Sequence, residues 1–402
     1  MSFAAAGLAC HAASRVVVPA QRPDTGRDSW CPDPPLVTSL PNSMNLLRPA
    51  ALAIAAALSL SVCAQAASDG PVLHRIASIQ VPGAPLARFD IGYAAAGTYA
   101  LADRSHASLD LFDAANRRLL AQVPGFTGVS KDGQAGPNGV VLVDGRQAWV
   151  GDGHSRIRIV DLATRRIVAS IDTGGGKKVD EVAYDARDHL VIAANNADTP
   201  PFVTLISTLA PYRVRGRVVL PRATSGLEQP AWDPASGLVD VAVPELDGKP
   251  ARGGVAVIDP RAARLLRILP VARCMPAGLA LGPGRQMLLG CSDDGVAAGL
   301  PARSLLLDSV SGRVLARFDK VGGSDEVWYD PRRRVYELAA VANPGGAVLG
   351  LIDARARRWL GNVPSGHGAH SVAADSASGQ VYMPIAAGDP SCPQGCVAVY
   401  GR

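Results

Sequence analysis

IRIVDLATRRIV (residues 157–168) and VAVIDPRAARLL (255–266) share one plan: a short apolar strand, an aspartate, then a turn ending in basic residues. The plan recurs as LDLFDAANRRLL (109–120), VTLISTLAPYRV (203–214), LLLDSVSGRVL (305–315) and LGLIDARARRWL (349–360), and CVAVYGR (396–402) carries its strand only. The marker positions are Asp113, Asp161, Ser207, Asp259, Asp308, Asp353 and Tyr400, spaced by subtraction at 48, 46, 52, 49, 45 and 47 residues. Several short strands per unit at that period specify an all-β, seven-bladed β-propeller.

Each unit reads as four strands by period-two alternation and turn residues. A short first strand (EVAYD at 181–185, EVWYD at 326–330, QPAWD at 229–233, HSVAAD at 370–375) precedes a second such as LVIAAN or YELAAV, then the marker strand and an outer fourth. The seventh unit has no fourth strand after CVAVY. Val72–Val81 (VLHRIASIQV) is an orphan with the character of one. Pairing the two closes the ring and removes two exposed edges that would template aggregation.

Bulk composition agrees. Apolar residues make up 48% and charged residues 19%, which places the chain among globular and not disordered proteins. The net charge is +5. Basic residues are spread over turns, with one cluster at Arg332, Arg333 and Arg334. No phosphate-tracking stripe emerges, so a nucleic-acid partner is not expected.

The N-terminal region reads as export machinery. From Met44 a short basic segment at Arg48, an apolar run over 50–62 and Ala64-Gln65-Ala66 make a secretory signal peptide, residues 44–66. Residues 1–43 read as an extension upstream of the native start, leaving 67–402 as a single propeller domain. That chain is periplasmic or secreted, with no membrane span in its mature part. A lipobox at Cys63 is disfavoured because Val62 precedes the cysteine. Four cysteines remain after cleavage, and oxidising conditions favour bridges Cys274–Cys291 and Cys392–Cys396. Metal binding by these thiolates is the rival reading.

The marker ending VAVIDPRAAR, with IRIVDLATRR close to it, and the D-E-V-x-Y-D opening of two units resemble the YVTN-repeat family of seven-bladed propellers, secreted bacterial members included. The resemblance spans 72–402 and implies an architecture more than a function. The YVTN tetrapeptide itself is absent, and VIAANN (191–196) is the nearest second strand.

In such a ring the loops leading into first strands and those joining second to third strands converge on one mouth. Candidate ligand-binding residues there are Asp90, His106, Asn138, His154, Glu181, Asn195, Glu228, Glu326, His367 and His370. The bland alternative is that Asp and Asn serve local turns. No cofactor is demanded by the sequence. An oxygen-rich set such as Glu228, Asn138, Asn195 and Glu181 would suit Ca²⁺, and mixed carboxylate and His would suit Zn²⁺. Gluconolactonase-like propellers, which have six blades, use a Glu, Asn and Asp set similar in kind. No nucleophile elbow, phosphate loop or HExxH occurs. The expected role is an exported scaffold that binds a protein, peptide, glycan or small molecule at its loop face. A metal-dependent hydrolase of lactonase type is the alternative.

Overall fold

The computed structural model describes residues 73–402. The expected signal peptide (44–66) and upstream extension (1–43), with Cys10, Cys31 and Cys63, lie outside them. The described residues form seven four-stranded antiparallel sheets, the blades of a seven-bladed β-propeller. Six blades use consecutive strands; the seventh joins Ala373–Asp375, Gln380–Ile385 and Cys396–Gly401 to the N-terminal strand His74–Ile79.

Burial follows strand position. Second strands such as Leu190–Asn195 and Val335–Ala340 are buried at every residue, because a neighbouring blade covers each face. The outer strand Arg166–Asp172 alternates exposed and half-buried residues, as a strand with one wet face should.

The marker aspartates make turns. Asp113, Asp161, Asp259, Asp308 and Asp353 each accept the amide three residues on, at 3.0, 2.7, 3.1, 2.8 and 2.7 Å. One residue further, Arg117, Arg165, Ala263, Gly312 and Arg357 adopt φ between +48° and +70°. The paired strands slip register three residues beyond that position, just inside the fourth strand, in all five blades. This is a four-residue hairpin loop with a left-handed last residue, which turns the chain back after an Asp-stabilised turn.

Ring closure is as the orphan strand requires. His74 pairs with Gly401 and Ile79 with Val397. Tyr99 of blade 1 stacks on Tyr382 of blade 7, ring centroids 4.7 Å apart. Beyond the strand, the Leu86 amide donates to Gln394 and the Leu86 carbonyl accepts from Ala387, binding the crossover to the last blade. Both expected disulfides are present, with Cα separations of 4.6 Å for Cys274–Cys291 and 5.8 Å for Cys392–Cys396. Two details differ from the sequence reading. First strands in blades 3, 4 and 7 begin later, at Val182, Pro230 and Ala373. The polar loop after Cys291 holds a short helix, Asp293–Ala297, capped by Ser292 Oγ on the Gly295 amide at 3.0 Å; a serine before two aspartates is the local signal for it. No helix among the described residues is long and apolar enough to cross a membrane.

Candidate functional site

One rung of the ring repeats around the channel mouth. The amides of Asp90, Asn138, Asp180, Glu228 and Asp325 donate to the carbonyls of Ala102, Gly151, Ala194, Ala242 and Ala339 in their own blades, at 2.8 to 3.4 Å. The backbone therefore presents five polar side chains at equivalent positions, and His370 holds the corresponding place in blade 7. Two basic residues reach in beside them. Arg104 donates to Asp90 and to Asn138, and Lys178 Nζ lies 2.8 Å from Asp180 Oδ1. His370 stacks flat on Phe89 at 5.1 Å, holds the Gly368 carbonyl with Nδ1 at 2.8 Å, and brings Nε2 to 3.5 Å from Asp90.

The electrostatics divide these groups into two kinds. Burial raises the Asp90 carboxyl, but Arg104, His370 and Lys178 outweigh it and hold Asp90 well below the usual carboxylate range. Burial lowers the His370 imidazole, yet Asp90 and Asp325 lift it to about 9. Asp90, Arg104, Lys178 and His370 thus form fixed charges. Glu228 and Asp325 are the other kind. Burial pushes both upward, Asp325 to about 7, and neither carboxyl has a hydrogen-bond partner among the described residues.

One residue deeper in the same strands lie Gln229 and the two buried glutamates, Glu181 and Glu326. Glu326 Oε2 accepts from Ser371 Oγ at 2.7 Å and the Val372 amide at 2.8 Å, joining blade 6 to blade 7. Gln229 accepts from the Leu279 and Val327 amides and donates to the Val327 carbonyl, joining blade 4 to blades 5 and 6. The glutamates are approached closely by glycine on the preceding blade. A Cβ on Gly139 would lie 2.5 Å from Glu181 Cα, and one on Gly278 would lie 2.9 Å from the Glu326 carbonyl carbon.

The other expected residues fall elsewhere. Asn138 lies on the mouth rung, but its amide nitrogen is used on the Ala135 and Val179 carbonyls and its oxygen on Arg104. Asn195 is buried in the joint between blades 2 and 3, bonded to Ser155, Thr173 and Thr204. Two of the four residues considered as a cation set, Asn138 and Asn195, thus spend their amides inside the protein; among the described residues no three of His, Cys, Asp and Glu group in a way that could hold a metal ion. His106 pairs through Nδ1 with Asp103 at 2.5 Å in blade 1. His154 and His367 are exposed on loops, offering their amides to Gln134 and Asp389. The sequence reading did not single out the aromatic residues of the lower channel, Tyr93, Tyr184, Trp232 and Trp328. Their signal was position: each follows the polar mouth residue of its blade by three or four places.

No protein-family model and no curated protein matches the sequence. Among solved structures the chain is similar to hydrazine synthase of Kuenenia stuttgartiensis, with a TM-score of 0.59 and 14% identity over 75% of this chain and 93% of that one. At that identity the likeness is one of fold.

Proposed function

We propose that the chain is an exported propeller of the YVTN-repeat type that binds a polar ligand or partner at its channel mouth. The N-terminal signal pattern and two disulfides support export. One observation carries the binding reading. At a mouth where Asp90, Asp180, Arg104, Lys178 and His370 all have charged partners, Glu228 and Asp325 have none among the described residues. A half-buried carboxyl without a hydrogen bond is costly, and a ligand that supplies donors removes the cost. The fixed cations beside it would orient a ligand that also carries acceptors, as peptides and glycans do.

Peptide and glycan arrays probed with the mature protein and with a Glu228→Gln/Asp325→Asn double variant test this. The expected result is a set of features bound by wild type and lost in the variant. Identical profiles for the two proteins, or an empty wild-type profile, would refute it.

A further inference from the structure

Below the mouth the channel opens into a cavity of about 420 Å³, walled by first-strand residues of six blades. That volume lies in the range of small-molecule pockets, about 300–1,000 Å³. Tyr93, Tyr184, Trp232 and Trp328 stand in its walls, with Tyr93 and Trp328 edge to face at 5.0 Å. Glu181 and Glu326 close it on the side of the mouth.

Two polar groups in these walls have no hydrogen-bond partner among the described residues. Glu181 is 5% exposed and its carboxyl has no hydrogen-bond partner among the described residues. The Trp232 Nε1–H is buried and equally without an acceptor there. Gln229 and Glu326, at the equivalent position in blades 4 and 6, tie neighbouring blades together. Glu181 ties nothing, so ring assembly does not explain a carboxyl at this depth. An aromatic face attracts a cation, and Trp232 already holds one, with the Arg187 guanidinium carbon 5.9 Å from its ring centroid.

We propose that this lower channel is a second binding site, taking an alkylated ammonium cation among Tyr93, Tyr184, Trp232 and Trp328 with Glu181 as its counter-ion. It is separate from the mouth and needs no ligand there. Binding displaces a proton. Burial, with Glu326, Glu228, Asp325 and Asp180 nearby, raises the Glu181 carboxyl far above its ordinary range. Ile91 of blade 1, Val140 of blade 2 and Leu279 of blade 5 face the cavity as uncharged residues, and Lys178, Arg104 and His370 are the cations of the mouth above. A fixed-charge cation therefore binds more tightly as pH rises.

Choline and its neutral isostere 3,3-dimethylbutan-1-ol test the assignment, read by indole fluorescence and calorimetry. Choline should titrate saturably, at least about tenfold tighter than the alcohol, and should release protons. Its affinity should rise with pH as the carboxyl ionises. Glu181→Gln should weaken choline about tenfold and reduce its pH dependence, while leaving the alcohol unchanged. Trp232→Phe, which keeps an aromatic wall but deletes the free N–H, should still bind choline in preference to the alcohol. Equal binding of choline and the alcohol by wild type overturns the proposal, as does unchanged choline affinity in Glu181→Gln.

Discussion

Replacing Glu326 by Gln should remove the pH dependence of stability that one buried carboxyl contributes. Glu326 is 1% exposed in the first strand of blade 6, and burial raises its carboxyl from 4.5 to about 8, against the opposing pull of its bonds from Ser371 and Val372. A folded value above the unfolded one means that the folded state holds its proton more tightly. The stabilisation is complete below about pH 4.5 and is lost as pH climbs through about 8. Three and a half pH units at about 1.4 kcal/mol each give a swing on the order of 5 kcal/mol, comparable to the whole net stability of many domains. Glutamine keeps an oxygen for Ser371 Oγ and the Val372 amide and cannot ionise, so the variant should lack this swing. Urea unfolding of both proteins at about pH 5 and about pH 9 reads the difference directly. Wild type should lose ground to Glu326→Gln across that interval, until the variant is the more stable protein at the alkaline end. A difference that stays constant with pH refutes the reasoning. It would mean that two hydrogen bonds to the carboxylate outweigh its burial.

Two further tests address the frame and the mouth. Deleting residues 73–81 removes the closing strand together with buried Leu73, Ile79 and Val81, and should replace one cooperative calorimetric transition by broad, aggregating unfolding; an unchanged melting profile would show the ring closed without it. Asp90→Asn should drop the His370 titration from about 9 toward its ordinary 6.5, followed by the imidazole proton resonance in NMR. In wild type the stability from this pairing is present below about pH 6.5 and lost as pH rises through about 9, so the variant should lose most at low pH. A midpoint that stays put would rule out Asp90 as the source of the shift.

The repeat was legible because each of its parts answers to local chemistry. An aspartate that accepts the amide three residues on, followed by a left-handed residue, needs no knowledge of the rest of the chain. Neither does the deficit of one strand at Tyr400 that His74–Ile79 makes good. The mouth rung was half legible: Asp90, Asn138, Glu228 and His370 come from the register of first strands, but which of them is already bonded depends on Arg104, arriving from a different loop. Asn195 shows the limit. It ends a second strand as the repeat requires, yet its amide meets Ser155 and Thr173 of the adjacent blade, a contact set by the angle between sheets. The use of the cluster at Arg332–Arg334 is set by the fold in the same way. Arg332 donates to the Ser376 and Ala377 carbonyls and Arg333 pairs with Asp330 and buried Glu337, so two of its three charges serve the protein itself. The aromatic lower channel was hidden because its walls come from six first strands that lie far apart in sequence.

The closing strand also sets a clock. Ile79 pairs with Val397, 318 positions later by subtraction, so the strand waits for nearly the whole chain before its partner exists. At a synthesis rate of about 5–20 residues per second that wait lasts roughly 15–65 seconds. Meanwhile Leu73 lacks the late-emerging residues it packs against, such as Val381, Met383 and Ala398, and the nascent blades offer an open edge. Closure is then a late event governed by the longest-range pairing in the molecule. A chaperone that held the segment 73–81 until Cys396–Gly401 emerged would act on yield without touching the stability of the finished ring.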